Sequence, residues 1–193
     1  QRNLGEFYEY GRGVKQDNVK ALMWYTISLK NGWDESKELI EKLAEKIFQH
    51  TSWHGIICGT QQEHILSENI LKHCNAPLKN ISGQTSLPEL ARLLSQCQFT
   101  ISNETGTAHI SAAVETQTIC ILGGGHFGRF FPYPDLPGQT TFMKPVNHKM
   151  PCYGCNWECV YHIKNNEPAN CITNVSVEKV WEEVEKIIEA KMN

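Results

Sequence analysis

The sequence has no excess of basic residues and no long apolar run. Its 193 residues include 18 Lys and Arg against 21 Asp and Glu, a formal net charge of −3. This balance offers no long-range attraction to a phosphate backbone, so we expect no nucleic-acid partner. No apolar run of the roughly 18 residues needed to cross a bilayer is present, and the first residues lack the apolar core of a secretory signal. These absences predict a soluble, cytoplasmic chain without a transmembrane segment.

Eight cysteines are present, and they fall into two kinds of context. Cys58 and Cys120 lie inside apolar runs, where a reduced thiol behaves as a small core residue. Four others form the pattern Cys152-x2-Cys155-x3-Cys159-x11-Cys171. Four thiolates at this spacing are compatible with a structural Zn or Fe ion, with free thiols, or with disulfides. The sequence leaves these three interpretations open.

The N-terminal segment, residues 1–35, is predicted to be a helical hairpin. Apolar side chains recur at helical spacing on both sides of the turn Gly11-Arg12-Gly13, whose glycines accept positive φ without a Cβ penalty. The first set is Leu4, Phe7 and Tyr8, and the second is Ala21, Leu22, Trp24, Tyr25 and Leu29.

The residues of this hairpin resemble one unit of the Sel1-like repeat, a relative of the tetratricopeptide repeat. The matching pattern is Leu-Gly-x-x-Tyr-x-x-Gly-x-Gly-Val-x-x-Asp-x-x-Lys-Ala-x-x-Trp-Tyr, beginning at Leu4. A single repeat cannot bury its own apolar face. The resemblance therefore implies further repeats or a docking surface, and the hairpin is either packed scaffold or a protein-binding element.

From residue 36 to 193, short β-type runs alternate with helical runs. The β-type runs are 53–58, 79–82, 99–102 and 118–122, and the helical runs are 36–48, 61–74, 87–96 and 107–114. Ser86 and Glu89 form a capping box at one helix start, and a last amphipathic helix begins at Ser176. Strands that alternate with helices predict an α/β fold with a parallel sheet and helices on both faces.

One strand-turn-helix segment, residues 99–113, carries the most chemical information. The amides that begin its helix, together with the positive end of the helix dipole, suit a pyrophosphate. Gly106 permits close approach of a ligand, Glu104 can accept hydrogen bonds from sugar hydroxyls, and His109 can reach phosphate oxygens. The alternative is an ordinary strand-helix corner capped by Asn103 or Thr105.

Three segments in order resemble the C-terminal domain of the heptosyltransferase-type glycosyltransferases, family 9. They are Ile81-Ser-Gly-Gln-Thr-Ser-Leu-Pro-Glu-Leu-Ala-Arg-Leu-Leu, then Phe99-x-Ile-Ser-Asn-Glu-Thr-Gly-x-x-His, then Ile119-Cys-Ile-Leu-Gly-Gly-Gly followed by Arg129 and Pro132-Tyr133. The resemblance implies that residues 36–193 form a Rossmann-like domain, half of a GT-B fold, that binds a nucleotide sugar.

The resemblance also implies a set of ligand-binding residues and a donor. These residues are Glu104, Thr105, Gly106, Thr107, His109, Gly124 and Arg129, and the implied donor is ADP-heptose or a related nucleotide-diphosphate sugar. The family usually has Asp where this chain has Glu104. The implied reaction transfers a sugar to a cell-envelope glycan or protein acceptor in lipopolysaccharide biosynthesis, at the inner membrane of a bacterium. Arg129 is equally compatible with a solvated loop residue.

The sequence departs from the family in what precedes residue 36. A GT-B enzyme has a second, acceptor-binding domain, for which 193 residues leave no room, and the first strand of the C-terminal half is expected to be missing. Three alternatives follow: the chain is a fragment or rearrangement, it works with a protein partner such as a second glycosyltransferase half, or it binds without catalysing. The last makes it a non-catalytic interaction module docked through the hairpin. A catalytic base is not assigned.

Overall fold

A parallel sheet forms the centre of the described structure. The computed structural model describes residues 21–24, 33–134, 140–161, 163 and 169–192, with backbone alone for 21–24 and 33–38. Six strands lie within these ranges: β1 Ala21–Trp24, β2 His54–Ile57, β3 Leu78–Asn80, β4 Cys97–Asn103, β5 Thr118–Ile121 and β6 Met143–Val146. Their order across the sheet is β3-β2-β1-β4-β5-β6.

Every pairing between these strands is parallel. β1 lies between β2 and β4, with Leu22 opposite Gly55 on one side and Phe99 on the other. β4 pairs with β5, where Ile101 lies opposite Ile119. Parallel strands need crossover connections, and helices supply them here. The predicted parallel α/β sheet is confirmed.

The helices cover both faces of the sheet. They are α1 Trp33–His50, α2 His64–His73, α3 Leu87–Leu94, α4 Gly106–Ala113, α5 Asn170–Thr173 and α6 Val177–Met192, and a short 3₁₀ turn, Gln61–Glu63, precedes α2. Apolar residues of α1, α2 and α6 share one core with β4 and β5. α3 and α4 pack on the opposite face. Both faces of the sheet are therefore buried, as in doubly wound folds.

Successive side chains of β4 and β5 point to opposite faces of the sheet, and this alternation decides which of them enter each core. Phe99 and Ile101 of β4 and Ile119 of β5 are fully buried against α1 and α6. The intervening Cys120 faces α4. Burying a side chain of this size contributes about 1.5–3 kcal/mol, so a one-residue slip of either strand would exchange the two cores at high cost.

One feature of the predicted hairpin is wrong. Residues 21–24, expected on the second helix, form β1 instead. Parallel neighbours on both sides satisfy the backbone groups of this apolar segment, and such tertiary pairing overrides a weak helical pattern. Residues 33–35 of the predicted hairpin begin α1, and its remaining residues lie outside the described ranges. β1 also fills the sheet position that was expected to be missing.

The order of the strands creates one special edge. From β1 the sheet extends through β2 to β3 on one side, and from β4 it extends through β5 to β6 on the other. The side on which the chain adds its next strand therefore changes between β1 and β4. Open α/β sheets bind ligands beyond the carboxyl ends of the strands at such a switch point. The turn after Asn103, the last residue of β4, lies at this place. Within the described ranges, no helix has the length and apolarity needed to span a membrane.

Candidate nucleotide-sugar site

The turn between β4 and α4 is open at the first residue of the helix. Thr105 is the N-cap, with extended backbone, and its carbonyl accepts from the Ala108 N–H at 3.0 Å. Gly106 is exposed, and a Cβ added there would meet nothing within 4 Å. A ligand can therefore approach the start of α4 without displacing protein atoms. An accessible helix N-terminus is the first requirement of an anion site of this kind.

Glu104 holds one carboxylate oxygen inside the turn. Its Oε1 is buried and has no hydrogen-bond partner among the described residues. Burial raises the pKa of the Glu104 carboxyl above its ordinary range. Buried polar atoms are nearly always hydrogen-bonded, so an unpartnered acceptor beside the exposed Gly106 is a candidate partner for a ligand donor such as a hydroxyl.

His109 is held by a tyrosine from another loop. Its Nδ1 lies 2.5 Å from the Tyr133 hydroxyl, and the two rings are 5.8 Å apart. Tyr133 in turn packs edge-on against buried Phe131. Burial, then the nearby Cys120 and Glu104, raise the pKa of Tyr133, so its hydroxyl stays protonated at neutral pH. The Nε2 atom remains as the second polar atom of the His109 ring.

Buried hydroxyls fasten α4 to the sheet. Ser111 donates to Thr100 Oγ1 of β4 at 2.8 Å and accepts from Thr118 Oγ1 of β5 at 2.8 Å. All three side chains are buried. Because the helix is tied to two adjacent strands, its N-terminus is held at a constant position relative to the sheet edge. A preorganised helix terminus of this kind binds an anion without a further entropic cost of ordering.

The loop after β2 reaches the same edge of the sheet. Glu63 is buried and accepts from the backbone N–H and the hydroxyl of Thr60, at 2.6 and 2.8 Å. Gly59 is required beside it, since a Cβ there would lie 2.8 Å from Glu63 Oε2. The Gly83 N–H donates to the Gly59 carbonyl and joins the loops after β2 and β3. A Thr-x-x-Glu capping box directly after a strand is the sequence signal that could have found this loop.

The predicted ligand contact of Gly124 gains no support from its surroundings and stays a prediction. Gly123, Gly124 and Gly125 are buried, and a Cβ at Gly124 would lie 2.6 Å from Tyr153 Cδ2. The Gly124 N–H donates to Cys171 Sγ at 3.3 Å, and its carbonyl accepts from the Gly154 N–H at 2.8 Å. Because these glycines lack a Cβ, side chains of neighbouring segments pack directly on their backbone and cover it.

The predicted metal site is not supported either. Cys152, Cys155, Cys159 and Cys171 all line one cavity, and all four are free thiols. Yet no group of three or more His, Cys, Asp or Glu side chains in the described part of the chain is arranged to hold a metal ion. Cys171 is instead engaged by the Gly124 N–H. The donor set does not fit a tetrahedral ion, which needs four converging ligands.

Arg129 lies on a different loop from the α4 turn. Its guanidinium donates to Asn156 Oδ1 at 3.4 Å and sits over the Phe130 ring at 5.1 Å. The remaining predicted residues, Glu104 to Thr107 and His109, come together at the end of β4. The structure thus brings five of the seven predicted ligand residues together at this turn, whereas Gly124 and Arg129 lie on the loop that follows β5.

Comparison with known proteins identifies the family to which this chain belongs. The family model described as glycosyltransferase family 9 (heptosyltransferase) matches residues 30–160. The chain belongs to glycosyltransferase family 9. A Sel1 repeat model matches residues 1–33, which confirms the resemblance of the N-terminal segment to that repeat. The strand β1 lies inside this second match.

Characterised members of family 9 resemble the chain in sequence and in fold. The lipooligosaccharide heptosyltransferase 2 of Campylobacter jejuni subsp. jejuni serotype O:6 is 27% identical over 131 residues, 67% of this chain and 39% of the relative. A family 9 structure from Veillonella parvula superposes with a TM-score of 0.72 at 13% identity, over 98% of this chain and 51% of that one. Escherichia coli heptosyltransferase WaaC, solved with ADP-2-deoxy-2-fluoro heptose, gives 0.57 at 17% identity, over 91% and 45%.

The chain spans about half the length, or less, of the family 9 proteins that it matches. The sheet with helices on both faces is common to it and these structures, which confirms the Rossmann-like half of a GT-B fold. The match to the family model over residues 30–160 shows that the chain belongs to a heptosyltransferase family.

Proposed function

We propose that the chain is the donor-binding half of a heptosyltransferase and binds a nucleotide-diphosphate sugar, ADP-heptose, at the turn between β4 and α4. The observation that carries this proposal is the pairing of an open helix N-terminus at Gly106 with the buried, unpartnered Glu104 oxygen at the switch point of the sheet. The relative solved with an ADP-heptose analogue supports the choice of donor.

Each group of the turn has a distinct role in this proposal. The amides of the first turn of α4 and its dipole receive the diphosphate, which carries the negative charge that develops as the sugar departs. Glu104 accepts from two sugar hydroxyls, and His109 Nε2 faces a phosphate oxygen. Thr105 and Thr107 contribute hydroxyls beside the diphosphate. The nucleophile is activated by a group outside this set.

The acceptor in this proposal is a glycan or protein of the bacterial cell envelope. The relatives named for lipooligosaccharide and lipopolysaccharide support that class of acceptor. We place the reaction in the cytoplasm, at the inner membrane. A second glycosyltransferase half, on this or another polypeptide, supplies most of the acceptor-binding surface.

Calorimetric titration with ADP and with ADP-heptose tests the proposal. We expect saturable binding of ADP and tighter binding of ADP-heptose. At a ligand concentration of about 100 times Kd, binding should stabilise the folded chain by about 2.7 kcal/mol, visible as a rise in melting temperature. An absence of heat and of melting shift with both ligands at millimolar concentration would sink the proposal.

Gly106→Ala is the sharpest variant, because the free protein has room for the added methyl group. We expect unchanged stability and ADP binding weakened by about tenfold or more, as the methyl group stands where the diphosphate approaches. Gln117→Ala, an exposed change beyond the end of α4, is the matched control and should leave binding unchanged. Equal affinity of Gly106→Ala and the unchanged chain would argue against a ligand at this turn.

The Sel1 repeat match favours a second candidate function, a non-catalytic interaction module. In this hypothesis the N-terminal segment docks a protein and the sheet domain serves as scaffold. Capture of a partner that is lost in a Tyr8→Ala and Tyr25→Ala double variant, and that ADP does not affect, would support it. Donor-dependent glycosylation of any acceptor by the chain would exclude it.

A further inference from the structure

Trp157 lies flat on the glycine-rich loop that follows β5. A Cβ added at Gly125 would collide with the Trp157 Cδ2, Cε2 and Cγ atoms, and one at Gly123 would lie 2.8 Å from its Cη2. The ring therefore covers the backbone of these glycines with one face. The side chain is nevertheless 47% exposed. Part of the indole is therefore accessible to solvent, and Trp157 also lines the cavity that the four cysteines border.

The backbone beneath Trp157 is held in an uncommon conformation. Asn156 and Trp157 are consecutive residues with φ of 53° and 65°. Such left-handed conformations cost free energy in residues other than glycine and persist only where the surroundings impose them. Here the Asn156 N–H donates to the Gly125 carbonyl at 2.9 Å. The hydrogen bond to Gly125 thus helps to hold the strained turn that keeps the Trp157 ring at the surface.

Aromatic and polar groups surround this surface. The His126 ring stands edge-on to both Trp157 and Phe130, at 6.0 and 5.5 Å between centroids. Phe130 is 51% exposed, and the Arg129 guanidinium lies over its ring and donates to Asn156 Oδ1. A guanidinium, an imidazole and an amide therefore rim an apolar surface.

The same loop connects this surface with the proposed donor site. Gly128 donates to the Phe131 carbonyl at 2.9 Å and closes the loop into a compact unit. Arg129 and Phe130 lie beside Trp157, while Tyr133 at the other end holds His109. The aromatic surface and the α4 turn are therefore neighbours at the carboxyl edge of the sheet.

We propose that Trp157, His126, Phe130, Arg129 and Asn156 form a saccharide subsite that holds a pyranose ring of the acceptor next to the donor. This inference rests on the proposed function for the identity of the saccharide as acceptor. A pyranose has an apolar C–H face that packs on the electron-rich face of an indole, and equatorial hydroxyls at its perimeter. The planar polar groups at the rim match those hydroxyls, whereas an all-apolar protein partner would leave them unpaired.

NMR titration of the full chain provides the test, because each of its five tryptophans gives one indole N–H signal. The probes are methyl mannoside, methyl glucoside and mannose 6-phosphate. We expect the Trp157 signal, assigned with Trp157→Phe, to shift saturably in the millimolar range of one or more probes. The indole of Trp181, which is buried in the core, should not respond. Trp157→Ala should weaken binding by about tenfold or more, and Trp157→Tyr, which keeps an aromatic face, should restore part of it.

Arg129→Gln should weaken saccharide binding by about threefold, as loss of one hydrogen-bonding group predicts. Val160→Ala, at an exposed position of the same loop, is the control and should bind as the unchanged chain does. The inference is overturned if none of the three probes shifts the Trp157 signal. It is also overturned if the signal shifts only with protein concentration, since that result indicates an interface between copies of the chain. ADP binding followed in the same samples separates the two proposals, because a silent Trp157 with intact ADP binding contradicts the subsite alone. A responsive Trp157 without ADP binding contradicts the donor site.

Discussion

At the scale of single residues, Glu104 places a carboxylate oxygen in a buried position at the turn after β4. Its buried oxygen lacks a partner among the described residues, and burial raises the pKa of its carboxyl. A group whose pKa is higher in the folded than in the unfolded state stabilises the fold when it is protonated, and this contribution is lost as pH rises through the folded pKa. At neutral pH the ionised Glu104 therefore opposes folding, and a ligand hydroxyl that donates to it would offset the cost.

Glu104→Gln should accordingly raise the melting temperature near neutral pH. The gain should shrink as pH falls toward the ordinary range of a glutamate carboxyl, since the native residue then becomes protonated and uncharged like glutamine. The same variant should weaken ADP-heptose binding while affecting ADP less. Calorimetric melting across a pH series measures the first effect, with Glu182→Gln on the exposed face of α6 as the matched control. A lower melting temperature for Glu104→Gln at neutral pH would contradict this account.

Tyr133→Phe tests how His109 is oriented. If the Tyr133 hydroxyl donates to Nδ1, the imidazole proton resides on Nε2, ready to donate to a phosphate oxygen. Removing the hydroxyl should mix the two tautomers and weaken ADP binding by about threefold to tenfold, the effect of one lost hydrogen bond. Nitrogen-15 shifts of the histidine rings report the tautomer directly. Tyr161→Phe, an equally exposed tyrosine on another loop, should change neither quantity.

At the scale of elements, both buried hydroxyls and small apolar side chains join α4 to the sheet. Its small residues leave little apolar surface, and its apolar contacts are limited to Ala108, Ile110 and Ala112. Ser111 instead joins β4 and β5 through Thr100 and Thr118. Small side chains let the helix approach the sheet closely, and the hydroxyl contacts then define where its N-terminus lies.

Ser111→Ala should therefore destabilise the chain by about 1–3 kcal/mol, because it leaves buried hydroxyls on two strands with fewer partners. Denaturant unfolding measures this change in the free energy of unfolding. Ala113→Ser, on the exposed side of the same helix, should change it by less than about 0.5 kcal/mol. If the two variants are equally stable, the hydroxyl contacts do not determine the seating of α4.

At the scale of the whole molecule, β1 joins two halves of the sheet. Without it, β2 and β4 would each present an unpaired edge in the middle of the domain. Unpaired strand edges bury unsatisfied backbone groups or invite aggregation. The boundary predicted at residue 35 thus separates β1 from the strands that it pairs with, and that boundary stays a prediction.

Removal of residues 1–32 tests the boundary. A chain that begins at Trp33 keeps α1 but lacks β1, so we expect it to lose the cooperative unfolding transition of the full chain and to bind ADP weakly or not at all. Circular dichroism melting and ADP titration of both chains provide the measurement. A truncated chain that melts cooperatively at the same temperature would establish residues 33–193 as an independent domain.

Much of the fold was predictable because its signals are local. The short β-type runs at 99–102 and 118–122, and the capping box at Ser86 and Glu89, predicted strands and a helix start without tertiary information. The turn at Glu104 was found for the same reason. The Tyr133 partner of His109 was not, since 24 residues separate the two and no periodicity links them.

The sequence alone determined the parallel α/β class, four of the six described strands and the turn at the end of β4, because apolar runs, caps and glycines act over a few neighbouring residues. Only the tertiary structure decided that the glycines at 123–125 lie beneath Tyr153 and Trp157, that no described group of three ligand side chains is arranged to hold a metal ion, and that 21–24 form a central strand. The physical reason is common to all three. Each depends on which surfaces meet across the sheet, and burial and backbone pairing between distant segments outweigh local preference.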